Sequence, residues 1–275
     1  MSHPTAAQQT TAAAAGPGRT VTLSARPEPV RLDLARTAVL VVDMQNDFCS
    51  PGGAVDLLGL DISAVRRTIE PVSRVLSAAR GAGVRVIYLQ HGYRPDLSDL
   101  GPTHSKNFLV HTTVGTTVPT PDGGTGRVLV RDTWNTEIIP ELAVQPEDIV
   151  IGKNRFSGFF NTTLDATLRD LDVQNLVVTG VTTSVCVEST IRDAMFRDYV
   201  PVLLADCTAE PQGQANHDAS LALIESTLGW VSDSADLLAA LADTAQPTNT
   251  QPGSTQPADT QSANTQSGST QPANA

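Results

Sequence analysis

The sequence predicts an α/β fold built on a mostly parallel sheet covered by helices on both faces. Two observations carry this expectation. Near-continuous apolar runs of strand length suit strands buried on both sides, and these runs alternate with stretches of helical period. Strands alternating with helices imply right-handed crossovers between parallel neighbours.

The elements follow in order. Residues 1 to about 28 are rich in Ala, Thr, Gln and Pro without an apolar period, and are expected to be a disordered lead. A single domain is expected over residues 29–243. Its first strand is Thr37-Ala38-Val39-Leu40-Val41-Val42, ending on Asp43. After a Gly/Pro loop, Ser63 can cap a helix reaching about residue 82, with Ile69, Val72, Val75, Leu76 and Ala79 on one stripe and Gly81 and Gly83 as stop signals. Val84 to Leu89 reads as the next strand.

Residues 90 to about 126 have no regular pattern and contain His91, Tyr93, Arg94, Asp96, Asp99, His104, Lys106 and His111. Loops of that length are commonly functional, and the polar and aromatic mix predicts a lid. A short strand is expected at Val128-Leu129-Val130, and another from Ile149 to Lys153. Asn161 or Thr162 can cap a helix to Leu171. Leu176 to Thr179 is the strand that leads through Gly180 into a helix carrying Cys186 and running to about Arg197. A strand from Val200 to Asp206 and helices near 215–228 and 234–242 complete the domain. Residues 244–275 repeat Thr-Gln-Pro and Thr-Gln-Ser with few apolar side chains, and are expected to be a disordered tail.

Composition excludes several classes. A formal net charge of -11, with no Lys/Arg stripe able to displace counterions, argues against nucleic-acid binding. No apolar run is long enough to span a bilayer, and the N-terminus lacks a secretory pattern, so a cytoplasmic protein without membrane association is expected. Cys49, Cys186 and Cys207 have neither CxxC nor zinc-type spacing, which predicts neither a disulfide framework nor a structural zinc site. Lysine occurs only at Lys106 and Lys153, against many arginines. A retained lysine therefore calls for a reason, and a compact ammonium is something arginine cannot supply.

Ligands of open α/β sheets bind beyond the carboxyl ends of the strands, where Asp43, Lys153 and Cys186 all fall. A thiol at a helix start gains unpaired N–H groups and the positive end of the macrodipole, which favour thiolate. Cys186 can attack, Asp43 can take its proton and return it to a leaving amine, and Lys153 can hold both anions. Each has a plain structural alternative: a packed cysteine, a capping acid and a solvated lysine.

Three stretches resemble the signature segments of the isochorismatase-like cysteine hydrolases, in the family's order. They are Val41-Val42-Asp43-Met44-Gln45-Asn46-Asp47-Phe48, Lys153-Asn154-Arg155-Phe156-Ser157-Gly158-Phe159-Phe160, and Gly180-Val181-Thr182-Thr183-Ser184-Val185-Cys186-Val187. The resemblance implies a three-layer αβα sandwich, Asp43, Lys153 and Cys186 as a catalytic triad, and a homo-oligomer. It also implies a cis peptide between Val181 and Thr182, so that the N–H groups of Thr182 and Cys186 meet a developing oxyanion. Donors of that kind are worth about 3 kcal/mol each. The nucleophilic cysteine implies hydrolysis of a non-peptide C–N bond in a small molecule through a thioester. Gln90-His91-Gly92-Tyr93 replaces the Asp-x-His metal motif of nicotinamidases, so no cofactor and no catalytic metal are expected.

The substrate is harder to read. Lys153 to Thr163 and Gly229-Trp230-Val231-Ser232-Asp233 are similar to ureidoacrylate amidohydrolases, although their Asn-Gly-Trp-Asp lid pattern is missing. Gly92 to Leu100 looks more like biuret hydrolase, with Glu225 where its substrate-binding glutamine is expected. The acidic charge favours a cationic antibiotic, namely the cyclic amide of streptothricin's streptolidine lactam and hence antibiotic resistance. Ureidoacrylate or biuret is the alternative, and a catalytically degenerate binding module is the alternative of another class. Phe48, His91, Tyr93, Arg94, Phe159 and Glu225 are the substrate-pocket candidates. A carboxylate-bearing substrate would want Arg94 or Lys106; a cationic one would want Asp96, Asp99 or Glu225.

Overall fold

Alternate residues of one strand, Val39 and Val41 against Leu40 and Val42, enter two separate apolar clusters, and the architecture follows from that division. The computed structural model describes residues 19–110 and 112–243; the tail 244–275, most of the N-terminal lead and His111 lie outside it.

The described chain begins with β1 (Thr20–Leu23) and β2 (Val30–Asp33), an antiparallel pair that buries Val21, Leu23, Val30 and Leu32. The expected unstructured lead is therefore structured from Thr20 onward. Two alternating apolar residues inside a Thr-rich stretch are too short a signal to outweigh composition. β3 (Thr37–Val42) follows, buried along its length, and then the short α1 (Asn46–Cys49) and α2 (Ala54–Leu57) within the Gly/Pro loop. The helix expected from Ser63 is two, α3 (Ser63–Arg67) and α4 (Ile69–Gly81), parted at Thr68, whose hydroxyl donates to the Val65 carbonyl at 2.7 Å. The α4 stripe of Ile69, Val72, Val75, Leu76 and Ala79 is buried as the period requires.

β4 (Arg85–His91) leads to α5 (Lys106–Val110) and to a hairpin of β5 (Thr117–Pro119) and β6 (Thr125–Arg127). The strand expected at Val128-Leu129-Val130 is instead a turn, in which Leu129 has φ 50°. Its apolar side chains are buried under the loop with Tyr93 and Leu100, so burial in a third cluster mimicked a strand signal. The remaining elements are β7 (Ile149–Lys153), α6 (Leu164–Asp170), β8 (Asn175–Val181), α7 (Glu188–Met195), β9 (Val200–Ala209), α8 (Gln214–Leu223), β10 (Trp230–Ser232) and α9 (Ser234–Asp243).

Six of these strands form one sheet in the order β10-β9-β8-β3-β4-β7, every neighbouring pair parallel. Val39 and Val41 pack with Val72 and Leu76 of α4 and Leu237 of α9. Leu40 and Val42 pack with Leu164 of α6 and Ile191 of α7. Helices thus cover both faces, giving the three-layer sandwich. Among the described residues, no helix is long and apolar enough to cross a membrane.

The strand order positions the site. The chain runs from β3 to β4 and β7 on one side, then returns to place β8 on the other side of β3. That reversal opens a crevice at the carboxyl ends of β3 and β8, the usual ligand position in such sheets. Gly180 makes the close approach possible: its φ is +102°, and a Cβ there would stand 2.1 Å from the Val42 carbonyl oxygen.

Candidate active site

Asp43 directly follows β3, His91 ends β4, Lys153 ends β7, and Cys186 sits in the turn after β8, so strand ends bring all four to one edge. His91 and Lys153 are register partners. Gln45 ties this edge together: its side-chain amide donates to the carbonyls of His91 at 2.9 Å and Thr136 at 3.0 Å, and its oxygen accepts the His91 N–H at 2.7 Å. Gln45 is fully buried, and sequence reasoning gave it no role.

The Lys153 ammonium is buried and spends its three N–H groups on Asp43 Oδ2 at 2.7 Å, His91 Nδ1 at 3.2 Å and the Arg155 carbonyl at 3.2 Å. An ammonium has no lone pair, so His91 Nδ1 must be the acceptor and the ring proton resides on Nε2. Burial pulls the Lys153 pKa down, but Asp43 and Cys186 beside it outweigh that and the net direction is up. Lys153 stays charged.

Burial pushes the Asp43 carboxyl above its ordinary range, with the Lys153 charge opposing. A carboxylate of raised pKa is the better proton acceptor. Oδ2 is held by Lys153, while Oδ1 is buried without any other hydrogen bond among the described residues and is left for the thiol. The Cys186 thiol is itself pushed up, first by burial and then by Asp43, with Lys153 opposing. This corrects the expectation that a helix start would lower it. Cys186 lies within a π-helical turn, Thr183–Val187, and desolvation there exceeds what the turn and the ammonium return. Burial therefore favours the neutral thiol, and the Asp43 carboxyl stands beside it.

One donor atom each from Asp43, His91 and Cys186 lie within 4.8 Å of one another, a spacing that would admit a metal ion. The Lys153 ammonium engages Asp43 Oδ2 and His91 Nδ1 at the same position.

The turn bearing Cys186 begins with a cis peptide at Val181–Thr182, as the resemblance implies. Its internal hydrogen bonds run from Val185 and Val187 N–H to the Thr182 carbonyl, at 3.2 and 3.1 Å. Glu210, just past β9 and buried, accepts both the N–H and the hydroxyl of Ser184 on one oxygen and the Gln212 N–H on the other. It thereby fastens the nucleophile turn to the next loop. Glu210 and Gln212 were missed because a loop after an apolar strand carries no sequence period.

A cavity of about 320 Å³ opens over Cys186. Phe48, His91 and Thr182 line it, as expected; Phe156, Val185, Leu129, Thr113 and Gln212 line it as well. The other pocket candidates stand elsewhere. Tyr93 is buried behind His91, its ring edge-on at 5.4 Å, and burial raises its hydroxyl to about 12. Arg94 is exposed on the loop and offers only its N–H to Asp99. Phe159 packs against Tyr199 at 5.8 Å beneath Arg197, within the apolar cluster of α6 and α7. Glu225 pairs with Arg26 at 2.9 Å, beside a different groove that includes Pro27 and Trp230. Phe156, three residues before Phe159, lines the cavity in its place. Cys49 and Cys207 are buried in the core.

Asp47 is the knot of the cavity walls. Its buried carboxylate accepts the N–H groups of Ala54 at 3.0 Å and Leu129 at 2.6 Å and the Asn135 amide at 2.7 Å. Burial raises its pKa to about 6, with those three donors opposing. A folded-state value above the ordinary 3.8 means that its contribution to stability is fully present below about pH 3.8 and is lost as pH rises through about 6. Two pKa units correspond to up to about 3 kcal/mol. Asp47→Asn should therefore lose stability relative to wild type as pH falls from neutral to about 4. Denaturant midpoints of the two proteins across that range test this, and a pH-independent difference would refute it.

A buried thiol, a desolvated carboxylate and a lysine at the switch point of a parallel αβα sandwich define a cysteine hydrolase. The chain belongs to the isochorismatase family, whose Isochorismatase domain model matches residues 37–236. It is 43% identical over 222 residues to the ureidoacrylate amidohydrolase RutB of Methylorubrum extorquens, covering 81% of this chain and 89% of that protein. The protein of the same name from Agrobacterium fabrum is 41% identical, with 83% and 100% covered. Among solved structures, a cysteine hydrolase from Pseudomonas syringae pv. phaseolicola is 34% identical, with a TM-score of 0.65 and 77% and 95% covered. The protein is a hydrolase of a small-molecule C–N bond other than a peptide bond.

Proposed function

We propose that the protein hydrolyses a ureido compound, with Cys186 as nucleophile, Asp43 as proton carrier and Lys153 as the fixed cation. The observation that carries the ureido reading is the identity of 43% over 222 residues to a ureidoacrylate amidohydrolase. The overall acidic charge favours streptothricin, but none of Asp96, Asp99 and Glu225, the carboxylates a cationic substrate would want, lines the cavity over Cys186. The lactam preference, and antibiotic resistance with it, loses its footing.

In the first half-reaction the Cys186 proton passes to Asp43 Oδ1 and Sγ attacks the carbamoyl carbon. The oxyanion forms beside the N–H groups of Thr182 and Cys186. Collapse breaks the C–N bond, and Asp43 gives its proton to the departing nitrogen. Asp43 then takes a proton from water, hydroxide attacks the S-carbamoyl carbon, and the C–S bond breaks. The proton returns to sulfur and carbamate leaves. Lys153 keeps Asp43 oriented throughout without exchanging a proton.

A panel of ureidoacrylate, biuret, nicotinamide and a streptolidine-lactam antibiotic tests the reading. At least one ureido compound should exceed nicotinamide and the lactam by at least about tenfold in kcat/KM, an interval of the size hydrogen-bonded discrimination supplies. Preference for the lactam or nicotinamide would overturn it.

A further inference from the structure

The sequence poses a choice between a cationic pocket for an acidic substrate and an acidic pocket for a cationic one. The cavity offers neither. Among the described residues lining it there is no Lys, Arg, Asp or Glu. Arg94 and Lys106 are exposed on the loop, Asp99 is engaged by Asn154 at 3.0 Å and by the Arg94 N–H, and Glu225 faces Arg26. The ion pair of Lys153 and Asp43 is fully buried and is not part of the lining.

What surrounds the space instead is Phe48, Val55, Leu58, Leu60, Val110 and Phe156. Leu58 and Val110 are 55% and 45% exposed, which puts them where the cavity meets solvent. The polar groups, by contrast, include Cys186, Thr182 and His91, which mark the reacting end. Thr113 and the exposed Gln212 are polar lining residues as well, so the space has a polar end at Cys186 that suits a carbamoyl group and a mainly apolar wall along Phe48, Val55, Leu58, Leu60, Val110 and Phe156.

Resting on the ureido reading above, we propose that this apolar wall forms a subsite for an uncharged apolar substituent, so that the substrate class is N-alkyl or N-aryl ureas rather than ureido acids. A carboxylate placed there would lose water without meeting a Lys or Arg among the described lining residues. Each methylene placed there gains roughly fourfold in binding.

The test uses two matched pairs. N-butyl and N-(3-carboxypropyl) chloroacetamide are compared as alkylators of Cys186, with rates followed by mass spectrometry and normalised to a free thiol. N-butylurea and 3-ureidopropionate are compared as substrates. The butyl reagent should modify Cys186 at least about tenfold faster, because the two reagents differ only at the terminus, where a carboxylate must give up water against apolar side chains. Val110→Arg and Leu58→Arg, both at exposed positions, should each reduce or reverse that ratio. Equal or faster modification by the carboxylate reagent in wild type, or an unchanged ratio in both arginine variants, overturns the proposal. The alkylation arm does not depend on turnover. If neither urea is hydrolysed but the butyl preference holds, the ureido reading falls and the apolar subsite stands. If 3-ureidopropionate is preferred over N-butylurea, the ureido reading stands and the subsite falls.

Discussion

Cys186→Ala should lower kcat by about 10⁴-fold or more, the scale on which removal of a covalent nucleophile acts. The reason is local: among the described residues the Cys186 thiol opens onto the cavity beside the Asp43 carboxyl. The fold should persist, because the substitution deletes a single sulfur from a well-packed cluster and costs about 1 kcal/mol. Cys186→Ser keeps a hydroxyl in place, but an alcohol is a much weaker acid than a thiol, so Asp43 cannot deprotonate it to a useful extent. It should fall nearly as far. Cys49→Ala and Cys207→Ala supply the contrast: both side chains lie in the core cluster on the other face of the sheet, so turnover should survive. Steady-state kinetics together with denaturant midpoints separate these effects. Retained activity in Cys186→Ala would remove the nucleophile from the mechanism and the ureido chemistry with it.

The layers of the fold were legible because buried parallel strands leave apolar runs that few other structures require. Thr37 to Val42 and Leu176 to Thr179 both read correctly, and so did the α4 stripe. The meeting of Asp43, Lys153 and Cys186 was legible for a related reason: a strand end is a defined place in this architecture, so Asp43 and Lys153 could be assigned to one edge without knowing the strand order. The cavity was not. Its walls come from residues as distant as Phe48, Val110 and Gln212, and loops place side chains by individual hydrogen bonds rather than by a period. Asp47 shows the difficulty. It holds Ala54, Leu129 and Asn135 together, yet in sequence it is one acid among many near a turn. Charge misled for the same reason. Net charge describes the whole surface, whereas the substrate meets a cavity whose described lining carries no acidic or basic side chain other than His91.

The ion pair of Lys153 and Asp43 gives the second large effect. Both side chains are fully buried, with Nζ and Oδ2 2.7 Å apart. Removing one partner of such a pair leaves the other charge without compensation, and typically costs 3–5 kcal/mol, approximately independent of which partner is removed. Lys153→Met and Asp43→Asn should each lose about that much stability. The double variant should recover most of the loss, since two neutral side chains no longer need each other, while remaining without turnover. That separation matters because a purely structural pair would let the double variant work. The pH dependence supplies an independent sign. Lys153 is what opposes the upward push of burial on Asp43, so in Lys153→Met the carboxyl should rise further. The acid limb of any remaining kcat/KM must then move to higher pH, because the base must be ionised to accept the thiol proton. An acid limb that stays in place, or moves to lower pH, would show that Asp43 is not the group that takes the proton from Cys186.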